Sequence, residues 1–183
     1  MTAREFDPFR LDVVAFAKEA GALEGRWPLA GFDRIADSAV PGAPVSDDYE
    51  VRWSVRGERR QLRGGDAQTW LHLEAATQVS LECQRCLKPV NVPLQMSRQF
   101  LFVHGEDAAA QLDADSEDDV LAVTRALDLR ELIEDELLLA MPIVPRHEVC
   151  PEPLRAPVDD EPLDEKPNPF AALARLKRPG PAS

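Results

Sequence analysis

The longest pattern in the chain is an alternation of apolar and polar residues from Leu71 to Phe102, broken once, at the stretch SLECQRCLKPV (residues 80–90). Before the break Leu71, Leu73, Ala75, Thr77, Val79, Leu81 and Cys83 share one parity; after it Val90, Val92, Leu94, Met96, Phe100 and Phe102 do. A period of two sends successive side chains to opposite faces, so each half reads as a strand with one buried face. A connection this short returns the chain antiparallel. The sequence is thereby committed to a long hairpin with Cys83 and Cys86 at its tip.

The flanking segments extend this core. Tyr49, Val51, Trp53 and Val55 fall on one face of a further strand, Glu50, Arg52, Ser54 and Arg56 on the other, and RGGD around Gly64 and Gly65 turns it into the hairpin. LEGRWPL alternates as well, but Pro28 cannot donate to a ladder, which confines that segment to an edge. In PFRLDVVAFAKEAG, Leu11, Val14, Ala15 and Lys18 recur at helical spacing with Gly21 as a stop. ADSAVPGAPVSDD reads as a loop. Beyond the hairpin, residues 105–119 read as an acidic excursion and VLAV from Val120 as one more short strand.

A helix then begins at Asp128, with Glu131 completing a capping box and Leu129, Leu132, Ile133, Leu137, Ala140 and Met141 as its apolar stripe; Pro142 and Pro145 end it. The expected fold is α+β: an antiparallel, curved, partly barrel-like meander packed on one main helix, with an N-terminal helix and a tethered C-terminal one. Sixteen prolines against nine glycines point to tail and linker. We expect one domain over residues 1–150, a Pro- and acid-rich linker over 151–167, and a short amphipathic helix and tail over 168–183. In that helix Asn168 caps, and Phe170, Leu173 and Leu176 form an apolar face suited to its own domain or to a partner groove.

Charge is distributed in blocks. The chain carries a net −12, yet residues 50–104 hold eight basic and five acidic side chains, while residues 105–165 hold four and 19. Phosphate contacts need clustered cations, so the expected RNA-contacting regions are the strand-rich middle, with Arg52, Arg56, Arg59 and Arg60 as its candidates, and the basic extreme C-terminus over residues 166–183. Trp53 and Trp70 nearby are candidate base-stacking residues, against the ordinary role of strand aromatics as core. The acidic belt suits a basic protein partner or a solvated linker. Glu131, Glu134, Asp135 and Glu136 read as a solvated helix face, because no nucleophile accompanies them. No apolar run reaches membrane-spanning length and the N-terminus lacks an apolar signal core, so a cytoplasmic protein is expected.

Cys83-x-x-Cys86 acquires partners in VPRHEVC, where His147 and Cys150 are again three apart. Together they offer the Cys3His set that structural zinc favours, closing a loop of about sixty residues. The alternative is a core thiol at Cys83, a turn residue at Cys86 and surface positions for His147 and Cys150. A redox CxxC is a third reading, disfavoured because activated thiols usually sit at a helix N-terminus and CLKPVNVPL continues as strand.

LECQRCLKPV, LRELIEDELLLAMPIVPRHEVC and KPNPFAALARLK, in that order and spacing, resemble the YceD family of large ribosomal RNA subunit accumulation proteins. The resemblance spans about Leu23 to Lys177. It implies a ribosome biogenesis factor needed for synthesis, processing or stability of large-subunit ribosomal RNA; precursor RNA and a basic ribosomal protein as its partners are expected from the basic middle and the acidic belt. It carries over no catalytic residues. A non-enzymatic assembly factor is therefore expected, an RNA-processing nuclease being the alternative; the latter would need metal-binding carboxylates or a His pair around a phosphate.

Overall fold

The computed structural model describes residues 5–41 and 49–152. The chain divides into two units, residues 1–152 and 153–183. Phe170, Leu173 and Leu176 and nearly all of the expected linker lie outside the described residues.

Five strands lie side by side in chain order: β1 (Ala22–Pro28), β2 (Glu50–Arg60), β3 (Gln68–Glu82), β4 (Pro89–Val103) and β5 (Asp119–Ala122). The first four pair antiparallel; β5 runs parallel to β4. The sheet is curved but open, with β1 and β5 as its edges. β3 and β4 form the long hairpin, and its register sets Leu71 against Phe100, Ala75 against Met96, Val79 against Val92 and Leu81 against Val90. Cross-strand apolar pairs on one parity give the sheet an inner face that has to be covered.

Three helices cover it. α1 (Val13–Lys18) is capped by Asp12, whose carboxylate accepts from the Ala15 N–H. Its buried residues are Val13, Phe16 and Ala17, so the expected stripe through Val14, Ala15 and Lys18 is corrected by one helical face. α4 (Leu129–Leu139) starts at Asp128, which accepts from the Arg130 and Glu131 N–H groups, and buries Leu129, Ile133 and Leu137 completely. Each of these side chains contributes about 1.5–3 kcal/mol by leaving water. α2 (Asp33–Ser38) occupies part of what the sequence reads as loop, and its own N-cap residue, Phe32, supplies no side-chain acceptor. Glu134 of α4 does so instead, accepting from the Arg34 N–H at 2.8 Å and the Ile35 N–H at 3.4 Å.

The outer face is covered at one end. The expected acidic excursion contains a helix, α3 (Glu106–Asp115), with Glu106 and Asp107 favourably placed in its first turn. Its one buried residue, Ala109, joins Trp70, Leu101 and Val120 in a second, smaller core.

Candidate metal centre

At the far end of the hairpin the backbone between β3 and β4 folds into a knuckle. The Leu87 N–H donates to the Cys83 carbonyl at 2.8 Å and the Cys83 N–H to the Lys88 carbonyl at 3.0 Å. Closing this turn puts Leu87 at φ 58°, in the left-handed region that a branched residue adopts only when its surroundings impose it. The knuckle thereby turns Cys86 back toward Cys83 rather than along the strand.

The segment leaving α4 meets this knuckle. The Gln84 N–H donates to the Pro145 carbonyl at 2.9 Å, and the His147 N–H donates to Cys83 Sγ at 3.4 Å. Cys86 Sγ lies 3.4 Å from His147 Nδ1. One donor atom each from Cys83, Cys86, His147 and Cys150 falls within 4.8 Å of all the others. In a tetrahedral zinc site with bonds of about 2.0–2.3 Å, neighbouring donors sit about 3.5–3.8 Å apart. The cluster is thus of the size and donor type that such an ion draws together.

Electrostatics point the same way. Burial works against a charged Cys83 thiolate, but the N–H groups of His147, Arg85 and Cys86 directed at its sulfur outweigh that and bring the thiol down to about 5. Cys150 moves in the opposite direction, raised first by burial and then by the sulfurs of Cys86 and Cys83. Negative charge thus settles on the Cys83 sulfur, and a cation bound there would offset what raises Cys150. Among the described residues no helix begins behind the Cys pair, which sits between two strands, so the lowering at Cys83 comes from backbone N–H groups at the knuckle rather than from a helix N-terminus.

The arginines named from the sequence do not form one patch. Arg52, Arg56 and Arg60 share the outer parity of β2, and Arg59 the other. Arg60 is engaged: Nε bonds Glu58 at 2.9 Å, Nη2 bonds Gln99 at 3.3 Å, and its guanidinium lies 4.2 Å above the Trp70 ring. Arg52, Arg56 and Arg59 form no ion pair among the described residues. Trp53 and Trp70 are only 7% and 4% exposed, which gives them the ordinary core role of strand aromatics and leaves no base-stacking platform there. Trp53 packs instead on Trp27, ring centroids 4.4 Å apart, and Trp70 lies in the small core with α3's Ala109.

His72 Nε2 lies 2.7 Å from Glu58, whose carboxyl Arg60 and then His72 hold down at about 2. Sequence reasoning missed this pair, whose signal lies in the cross-strand register: His72 faces Arg56, one outer-face position along β2 from Glu58. Three of the four α4 carboxylates pair with arginines. Glu134 and Asp135 clasp Arg34 of α2, and Glu136 accepts from Arg98 of β4 at 3.1 Å.

Fold and site together define an α+β protein whose hairpin tip and post-helix segment meet in a Cys3His cluster. Residues 71–177, a range that includes all four candidate ligands, match the family described as large ribosomal RNA subunit accumulation protein YceD. A Haemophilus influenzae protein of the same name is 31% identical over 176 residues, covering 93% of this chain and 96% of that protein. The chain belongs to the YceD family. No solved structure matches it.

Proposed function

We propose that the protein is a non-enzymatic factor supporting accumulation of large-subunit ribosomal RNA, acting by binding and stabilised by structural zinc on Cys83, Cys86, His147 and Cys150. The ribosomal role rests on family membership. The observation that carries the binding reading is the use of the α4 carboxylates: three of the four acids flagged in the sequence fasten α4 to α2 and β4, leaving no free carboxylate pair there to activate water. Among the described residues Arg52, Arg56 and Arg59 of β2 have no acidic partner, and they would be available to phosphates of a precursor RNA. The acidic stretch from residue 105 would hold a basic ribosomal protein. Among the described residues no helix is long and apolar enough to cross a membrane, and we place the protein in the cytoplasm with the ribosomal precursors it would serve.

Filter binding of precursor large-subunit RNA across a salt series tests the RNA contact. Replacing Arg52, Arg56 and Arg59 by Ala should weaken binding and flatten the log–log salt dependence by about 2, at about 0.7 per lost single-strand phosphate contact. An unchanged slope would refute the assignment of these three. Incubating the protein with the same RNA and magnesium tests the non-enzymatic reading: site-specific cleavage abolished by a single carboxylate change would overturn it.

A further inference from the structure

Residues 142–152 run from the end of α4 to the last described position, and none of them is buried. Their apolar side chains do not anchor them: Ile143 is 98% exposed, Val149 85% and Val144 47%. The segment contains no helix or strand. Among the described residues, besides the approach of the Cys150 sulfur to those of Cys86 and Cys83, three hydrogen bonds join it to the knuckle. These are Gln84 N–H to the Pro145 carbonyl, His147 N–H to Cys83 Sγ, and Cys86 Sγ to His147 Nδ1. Two of the three run through sulfur, and all three lie at the cysteine cluster. Ordering a residue's backbone costs about 1–2 kcal/mol, and three contacts worth about 1 kcal/mol each cannot hold eleven residues that bury so little.

We propose that the metal centre is a latch: a zinc ion shared by Cys83, Cys86, His147 and Cys150 is what fastens residues 142–152 to the hairpin tip. Its loss releases that segment while the sheet and its covering helices stay folded. The inference rests on the metal reading given above and goes beyond it, because a structural ion could equally be required by the whole domain. The distribution of burial argues for the narrower role. The core cluster packs Leu129, Ile133 and Leu137 with the inner sheet face, and of the four candidate ligands only Cys83 is buried. Metal loss therefore removes the attachment of the segment and leaves the apolar contacts of α4 in place. Relaxation of Leu87 from its left-handed backbone would favour release further.

Hydrogen exchange read by mass spectrometry on the full chain, zinc-loaded and after chelation, tests this. Two amides report the latch directly, those of Gln84 and His147. In the metal-free protein both should exchange at least about tenfold faster, while amides of β2, β3, β4 and α4 remain within about twofold of the loaded protein. Cys83→Ser alters a buried side chain and risks misfolding, so Cys150→Ser, at a half-buried position, is the second arm; it should show the same local loss. Cobalt(II) titration provides the independent readout of binding through its thiolate charge-transfer absorption. If the protein takes up neither zinc nor cobalt, the metal reading falls and the latch with it. If metal binds but Gln84 and His147 exchange at the same rate without it, the latch alone is refuted. If chelation strips protection from β3 and α4 as well, the ion holds the core and the latch is again wrong.

Discussion

Gly57 gives the sharpest test of how α1 is seated. It lies on the inner face of β2, where a Cβ would stand 2.8 Å from the Ala17 Cα and N and 2.8 Å from Phe16 Cδ1. Ordinary contact begins at 3.4 Å, so α1 would have to withdraw by about 0.6 Å. Two of the three obstructing atoms are backbone, and no side-chain rotation relieves them. Withdrawal also drags Phe16, which is fully buried and packed edge-on against Phe6 at 5.0 Å. Overpacking of this kind costs about 1–3 kcal/mol, and replacing a strand glycine by alanine returns about 0.5–1 kcal/mol. Gly57→Ala should therefore destabilise by about 1–2 kcal/mol, lowering the melting temperature by roughly 2–8 °C for a domain of this size. Urea unfolding should show a lower midpoint with an unchanged slope. Gly65→Ala, whose nearest neighbour is Leu62 Cβ at 3.7 Å, is the control and should stay within about 0.5 kcal/mol of the parent. A midpoint for Gly57→Ala equal to or above the parent's would show that α1 is not held where the contact requires.

Other expectations follow from the same contacts. Glu134→Ala removes the acceptor that caps α2 from another helix, and should cost about 1 kcal/mol in urea unfolding, with Glu134→Gln restoring most of it. Glu58 is held near 2 by Arg60 and His72, below its ordinary 4.5, so its contribution is complete above 4.5 and fades as the pH falls toward 2. Glu58→Gln should accordingly flatten the stability profile in that acidic window, as read from urea midpoints at stepped pH. Leu87→Gly should relieve about 1 kcal/mol of left-handed strain while leaving zinc content, measured by elemental analysis, unchanged.

What the sequence made legible depended on whether the deciding contacts were local. β2, β3 and β4 were readable because Val51, Leu73, Val79 and Leu94 repeat every second residue and the same residues face the core. α4 was readable because its cap and its buried stripe lie within twelve residues of one another. α2 was not, since it is six residues long and Glu134, about a hundred positions away, supplies its cap. α3 buries a single alanine and so leaves no apolar period to detect. That helix also decided the fate of Trp70, which by parity alone faces outward. Trp53 could have been placed inside, since it shares its parity with Val51 and Val55. The four metal-ligand candidates were visible as two spaced pairs, but their meeting across sixty-one residues depends on where α4 ends, and that is set by packing.

The hairpin register has a consequence for the cluster at its tip. β3 and β4 pair along almost their whole lengths, from Thr69 with Phe102 to Glu82 with Pro89, and the cysteine knuckle closes the pairing at its tip. Because faces alternate, a slip of one residue would turn Leu73, Val79 and Leu81 outward. It would also carry Cys83 away from Cys86 and from the Pro145 carbonyl that Gln84 must reach. In the native register, then, the hairpin tip is where pairing and donor geometry coincide: the alignment that turns Leu73, Val79 and Leu81 inward is the one that brings the four donors together.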